Sequence, residues 1–259
     1  MCKRSFLERE DWKSIRWVDE SNGPRAIEIT PLMNIIASLP GLAEDNKRMR
    51  DAQSAPNKAE LRIFKDRIVC MLRDLFLWRW EWECDNPNWA YEVSTNHKDS
   101  LTLDVDGTPL YPTIYYFHDF HKSRVIMLYN VAILVLLCQL AAPWNFHDAV
   151  QMAFASLPLD QAPTNPMNLP HPGLSQREVM DEMCRLVEYQ LQGQYSILGA
   201  GFLILPVRYL FEFDRAKIPW LKKIATYIAM VCGFRAVERM LEEQFQEQVM
   251  AEYEIGLNM

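Results

Sequence analysis

The chain has 259 residues, of which 49% are hydrophobic and 24% charged, a balance typical of a folded globular protein and not of a disordered one. Its net charge of −7 would repel the phosphates of DNA and anionic lipids, which disfavours duplex binding by this chain alone. The six cysteines contain no C-x2-C pair, so neither a zinc knuckle nor a redox dithiol is indicated, and free thiols in the cytosol or nucleus are expected.

The N-terminal part predicts an extended segment followed by helices. Residues 1–29 are polar and contain a turn, and Thr30 is a suitable N-cap for the first amphipathic helix. Pro40 and the glycine after it are expected to interrupt that helix, because proline removes a backbone donor. A second helix is then expected over residues 45–53.

Residues 58–83 carry apolar side chains at helical spacing, which predicts one long helix that stops at residues 85–88 (DNPN). The following residues predict a loop with short strand-like pieces near Thr102 or Thr113. The chain has eight tryptophans. They fit either packing between helices or a protein-binding surface, where tryptophan is favoured.

A central helix is predicted over residues 115–140. Within this region, residues 125–142 are apolar over a length at the lower limit for a membrane span. Asn130 and Gln139 interrupt the stretch, and a helix buried in protein can pair both amides with neighbouring groups. The sequence therefore favours a core helix and leaves a membrane-associated protein as an alternative.

A proline-rich internal loop is predicted over residues 158–173, where five prolines prevent regular structure. The next helix should begin at a capping box made of Ser175 and Glu178, in which each side chain bonds the other residue's backbone amide.

The C-terminal part predicts helices over residues 197–213 and 219–248. Pro206 is expected to break or kink the first, and the second is expected to divide near Gly233. The predicted fold class is therefore all-α, a single multi-helix domain over residues 1–259 with long internal loops and negligible strand.

Motifs for chemistry are sparse. His118 and His121 would lie on one face of the predicted central helix, as metal ligands do in bundles, but no partner motif accompanies them. Gly199 and Gly201 resemble part of a dinucleotide loop without its strand and third glycine, so close helix packing is the better interpretation. Catalytic motifs such as G-x-S-x-G and H-E-x-x-H are absent. The sequence thus predicts no catalytic, cofactor-binding or metal-binding residue, and no enzyme.

Five longer stretches carry a further pattern. They are residues 6–17 (FLEREDWKSIRW), 31–45 (PLMNIIASLPGLAED), 80–93 (WEWECDNPNWAYEV), 183–213 (MCRLVEYQLQGQYSILGAGFLILPVRYLFEF) and 220–242. Their order resembles the C-terminal regulatory region of fungal zinc-cluster (Zn2Cys6) transcription factors, especially those encoded beside secondary-metabolite genes. The most specific stretch looks like the family pattern R-x-x-E-Y followed by G-A-F-x-x-x-x-P-x-R. Its structural signature in this sequence is Arg185, Glu188, Tyr189, Pro206 and Arg208.

The resemblance implies a helical regulatory module of a nuclear protein, which restrains or enables transcriptional activation through protein contacts. The family's C-x2-C-x6-C cluster is absent, so we expect the chain to be either a fragment of a longer factor or a stand-alone module that acts only through partners. The implied module would control a metabolic or secondary-metabolite gene set, and by itself it is expected to bind neither nucleic acid nor membrane. Its partners would be proteins, with a homodimer and a small-molecule effector left open.

We expect Arg185 and Glu188, together with Arg208, to organise polar contacts between apolar helices. The alternative function is an accessory enzyme or small-molecule-binding protein of a fungal biosynthetic pathway, and the alternative location is the cytoplasm.

Overall fold

The computed structural model describes residues 29–51, 57–95, 101–104, 106–140, 146–157, 169–192 and 196–233. Of these residues 75% are helical, and the regular strands among them form one two-stranded sheet. The predicted all-α class with negligible strand is confirmed. The elements in chain order are α1 (Thr30–Asp51), α2 (Lys58–Asp85), β1 (Ala90–Ser94), β2 (Thr113–Phe117), α3 (Phe120–Leu140), α4 (Phe146–Phe154), α5 (Gln176–Gln190), α6 (Ser196–Phe213), a 3-10 turn (Arg215–Lys217) and α7 (Ile218–Cys232).

The chain divides into two compact units. Unit 1 is Met1–Asn88 with Leu128–Val179, and unit 2 is Trp89–Met127 with Met180–Met259. The single domain stays a prediction. The extended segment before residue 29, most of the proline-rich loop and the helix expected beyond Gly233 lie outside the described residues.

In unit 1, α1 passes through Pro40, where the sequence predicts a break. The helix is continuous over Thr30–Asp51, so the prediction of two separate helices is wrong. A proline inside an isolated helix costs about 3 kcal/mol. The buried side chains of Leu39 and Leu42 lie beside it, and such tertiary packing outweighs local propensity.

The predicted long helix is present as α2 and supplies much of the core of unit 1. It begins after Asn57, whose side chain accepts a hydrogen bond from the N–H of Ala59 at 3.1 Å. Its buried side chains recur at helical spacing and are Phe64, Ile68, Met71, Leu72, Leu75, Phe76, Trp78, Arg79, Trp80, Trp82 and Glu83. These three tryptophans therefore serve packing, which is one of the two uses predicted for them.

A buried ion pair lies in the last turns of α2. The side chains of Arg79 and Glu83 have no solvent exposure, and Arg79 Nε donates to Glu83 Oε1 at 2.6 Å. The guanidinium lies 5.1 Å from the ring centre of Tyr129. Removing one member of such a pair leaves a buried charge without its counter-ion and typically costs about 3–5 kcal/mol.

The apolar helix α3 is mostly buried. Two helical segments among the described residues, Phe120–Gln139 and Ser196–Phe213, are long and apolar enough to cross a membrane, and they are 72% and 39% buried. In unit 1, Asn46 Nδ2 donates to Gln139 Oε1 at 2.5 Å. Gln139 thus has the polar partner that a buried helix was expected to provide.

The sheet of unit 2 occupies the region for which short strand pieces are predicted. β1 and β2 pair antiparallel, with Tyr91 opposite Tyr116, and the strand predicted near Thr113 is confirmed. The central helix begins at Phe120 and not at residue 115. The strand sequence TIYYF is rich in β-branched and aromatic residues, which favour a pleated strand over a helix.

The end of α5 and the start of α6 pack closely in unit 2. A Cβ atom on Gly199 would lie 1.7 Å from the carbonyl oxygen of Gln190, so the approach requires glycine. This confirms the interpretation of Gly199 as a packing residue. The sequence predicts a break or a kink at Pro206, and the continuous helix α6 excludes the break. α7 ends at Gly233 in the left-handed conformation (φ 68°), as predicted.

Candidate functional site

Arg185 on α5 binds both strands of the sheet. Its Nε donates to the carbonyl oxygen of Thr113 at 2.9 Å, and its Nη2 donates to the hydroxyl of the same residue at 2.7 Å. Its Nη1 donates to the hydroxyl of Tyr115, and the guanidinium lies 3.8 Å from that ring's centre. Glu92 on β1 completes the set through an ion pair. One side chain therefore holds α5, β1 and β2 together.

Glu188 is a buried carboxylate whose oxygens are hydrogen-bonded. Thr102 donates its backbone N–H to Glu188 Oε2 at 3.1 Å and also donates its hydroxyl to that oxygen. Gln192 Nε2 donates to Oε1 at 3.2 Å. Because a buried charge is costly without such bonds, Glu188 fixes the segment around Thr102 against α5.

Arg185 and Glu188 thus organise polar contacts, as the sequence predicts, but the contacts are different from those expected. Arg185 binds the two strands of the sheet, and Glu188 binds Thr102 in the loop between the strands and Gln192 just after α5.

Tyr189 joins an aromatic cluster on the sheet. Its ring centre lies 5.3 Å from that of Tyr116 and 5.1 Å from that of Phe117. The contacts continue from Tyr116 to Tyr91 at 6.1 Å, and from Tyr91 to His118 at 5.2 Å. The cluster therefore extends from buried Phe117 to Tyr91, whose side chain is 43% exposed.

The other two signature residues lie on α6. Pro206 is buried, whereas Arg208 is exposed, and no hydrogen bond or ion pair joins Arg208 to the described part of the chain. The expected role of Arg208 in the polar contacts is therefore not supported. The reason is helical geometry. Successive side chains point in different directions around a helix, so Arg208 faces solvent although Pro206 and Val207 are buried.

A second polar cluster in unit 2 was not found from the sequence. Lys217 Nζ donates to Asp181 Oδ1 at 2.9 Å and also to Asp214. Tyr111 donates its hydroxyl to Asp181 Oδ1 at 2.7 Å. The only sequence signal was the three-residue spacing of Asp214 and Lys217, which fits a local ion pair.

This second cluster contains a buried thiol. Burial raises the pKa of Cys184 to about 12, so the thiol stays protonated at neutral pH and is a poor nucleophile. Burial alone would lower the pKa of Lys217, but Cys184 and the two aspartates raise it above its usual value. The arrangement holds a lysine cation between carboxylates and provides no activated nucleophile.

His118 and His121 do not lie on one helix face, contrary to the prediction. His118 precedes α3, and the backbone N–H of His121 donates to Asp119 Oδ1 at 2.8 Å at the start of that helix. Among the residues that the structure describes, no group of three or more His, Cys, Asp or Glu side chains could hold a metal ion.

The first turns of α6 carry an exposed apolar surface. Ile197, Leu198 and Leu205 are 65%, 63% and 48% exposed, and we call these three residues the α6 apolar face. Their spacing of one, seven and eight positions places them on one side of a helix. Met230 on α7 is 71% exposed. Exposed apolar residues that share one side of a helix, as those of the α6 apolar face do, are a candidate interaction site.

Comparison of the chain with protein-family models, curated proteins and solved structures found no match. The resemblance to zinc-cluster factors therefore depends on the five stretches of the sequence and on the signature residues within them.

Proposed function

We propose that this chain is a transcription-regulatory module of the fungal zinc-cluster factor type, which acts in the nucleus through protein contacts on a metabolic or secondary-metabolite gene set. The α6 apolar face is the observation that carries the proposal. Exposed leucine and isoleucine side chains gain free energy when a partner removes them from water, at about 25 cal/mol per Å². The same helix contains Pro206 and Arg208 of the signature, so the surface belongs to the stretch with the most specific resemblance.

The charge of the molecule supports action through partners. A chain with a net charge of −7 is repelled by DNA, whose binding normally depends on neutralising several phosphates with Lys and Arg. The module would therefore reach promoters by binding a protein that contacts DNA.

The accessory-enzyme alternative has less support from the site. The tryptophans of α2 lie in the core, His118 lies outside α3, and Cys184 is a protonated thiol at neutral pH. The proposed module accordingly acts without a reaction of its own.

Chromatin immunoprecipitation of the tagged full chain tests the proposal. The variants are Leu198→Asp with Leu205→Asp, which places two carboxylates on the α6 apolar face, and Arg208→Ala, which changes an exposed residue of the same helix. We expect the wild type and Arg208→Ala to occupy a common set of promoters and the double variant to lose at least about tenfold in occupancy.

A gel-shift assay of the purified chain on the same promoters is the control for direct DNA binding. The expected result is no shift until nuclear extract is added. Failure of the wild-type chain to enrich any promoter would contradict the regulatory role, and recovery of the chain in the membrane fraction would favour the membrane alternative.

A further inference from the structure

The outer edge of β1 has backbone groups that point away from β2. The N–H of Thr95 donates to the carbonyl oxygen of Pro112, and the N–H of His118 donates to that of Trp89. In an antiparallel ladder, every second residue forms hydrogen bonds to the partner strand. The two bonds at residues 89 and 95 therefore show that the odd-numbered residues of β1 are the ones hydrogen-bonded to β2. The N–H and C=O groups of Glu92 and Ser94 therefore point to the outer side.

These outward groups have no hydrogen-bond partner in the part of the chain that the structure describes, and both residues are exposed. The edge of β2 differs, because Arg185 donates to the outward carbonyl of Thr113. Within the described residues, the β2 edge thus accepts a hydrogen bond from a side chain of α5, and the β1 edge is open. An open strand edge is a template for pairing with another extended chain.

We propose that β1 binds an extended segment of a protein partner as a third strand of the sheet. This inference rests on the proposed function, because it states how a protein partner is recognised. The outward N–H and C=O groups of Glu92 and Ser94 would supply main-chain hydrogen bonds, as in other cases of strand addition.

Side chains beside the edge define the chemistry of the partner segment. The carboxylate of Glu92 is 42% exposed although it pairs with Arg185, so a lysine or arginine opposite it gains a favourable cross-strand charge pair. Tyr91, with His118 and Tyr116 behind it, offers an aromatic surface to the neighbouring apolar residue. The segment therefore alternates basic and apolar residues.

A second copy of this chain fits the edge less well. If two β1 strands paired about their middle residue, the two Glu92 carboxylates would lie opposite each other, and like charges in that position are destabilising. The occupant is accordingly a basic peptide of another protein.

Fluorescence anisotropy with the full chain tests the inference. The probe is a labelled peptide of seven residues in which valine and lysine alternate. Ser94→Pro removes an outward N–H and puts the proline ring at the edge, while the ladder bonds to β2 remain because that N–H does not take part in them. Ser94→Ala is the matched control. We expect wild type and Ser94→Ala to bind alike and Ser94→Pro to bind at least about tenfold more weakly.

Two further peptides separate main-chain pairing from charge attraction. Methylation of the lysine backbone nitrogens removes the donors that would face β1 and should abolish binding, whereas methylation of the valine nitrogens should not. In the wild-type complex, hydrogen exchange at the amides of Glu92 and Ser94 should slow.

The inference is overturned if the valine–lysine peptide does not bind, if Ser94→Pro binds it as Ser94→Ala does, or if lysine methylation has no effect. Its failure is distinct from failure of the proposed function. If Ser94→Pro still occupies promoters, the regulatory role stands and does not need the β1 edge. If the wild-type chain binds the peptide but occupies no promoter, the β1 edge binds peptides and the regulatory role fails.

Discussion

Gly199 shows how a single residue limits the packing of unit 2. The carbonyl oxygen of Gln190 occupies the space that a Cβ atom would need, and this oxygen belongs to backbone that cannot rotate away as a side chain can. Gly201, two residues later, has nothing within 4 Å of its Cβ position. The two glycines therefore serve different purposes, although the sequence places them in one short motif.

Gly199→Ala should reduce the free energy of unfolding by about 3 kcal/mol, because one helix must shift to relieve the clash. Gly201→Ala should leave it unchanged or raise it by up to about 1 kcal/mol, since alanine is the better helix former. Urea unfolding of both variants measures the difference. Equal stability of the two variants would contradict the close approach of α6 to Gln190.

The signature arginines should also differ in their effects. Arg185→Ala removes four hydrogen bonds, one of which is the partly exposed ion pair with Glu92, and should reduce the free energy of unfolding by about 2–3 kcal/mol. Arg208→Ala should change it by less than about 0.5 kcal/mol, as is usual for an exposed residue. Thermal and urea unfolding measure both variants. A larger loss of stability in Arg208→Ala would support the expectation from the sequence that Arg208 takes part in the polar contacts.

At the level of elements, the sequence predicts the presence of helices better than the residues at which they begin and end. The capping box before α5 is present as predicted, since the Ser175 N–H donates to Glu178 Oε2 at 2.8 Å and the Glu178 N–H donates to Ser175 Oγ at 3.3 Å. The breaks at Pro40 and Pro206 are absent, because burial of neighbouring side chains compensates for a lost backbone bond. A local pattern shows the cost of proline and does not show the packing that offsets it.

The cap of α5 makes stability depend on pH. Burial would raise the pKa of Glu178, but hydrogen bonds from Ser175 and the nearby His171 lower it below its usual value. The stabilisation is therefore fully present above the unfolded-state pKa of about 4.3 and is lost as the pH falls through the lower folded-state value.

Glu178→Gln keeps a side chain that can complete the capping box and removes its charge. We expect the wild type to have the higher Tm at pH 7 and the difference to shrink as the pH falls below about 4.3 and through the lowered folded-state pKa. Calorimetry across this range measures it, and a difference that does not vary with pH would contradict the lowered pKa.

The polar contacts could be predicted only in part. Arg185 and Glu188 are identifiable from the family pattern, but their partners at Thr113 and Thr102 are distant in sequence, and no local spacing connects them. The ion pair of Arg79 and Glu83 has helical spacing on a buried face, which is a usable signal. β1 could not be predicted, because a strand of five residues depends on its cross-strand partners for stability.

For the whole molecule, the proposed function would depend on exposed surfaces more than on an enclosed site. Unit 2 contains most of α5, whose Arg185 and Glu188 form the polar contacts described above, together with the α6 apolar face and the open edge of β1. Its buried polar groups hold the elements together, and its exposed groups are suited to binding protein. A negatively charged chain with such surfaces is consistent with a regulator that depends on partners.

A tethered reporter assay tests whether the α6 apolar face carries the proposed transcriptional regulation. The full chain is fused to an unrelated DNA-binding domain, and reporter output is compared with that of the domain alone at equal protein level. We expect a several-fold change that is retained in Arg208→Ala and lost when Leu198 and Leu205 are both replaced by aspartate. Output equal to that of the DNA-binding domain alone, or an undiminished effect in the double variant, would contradict it.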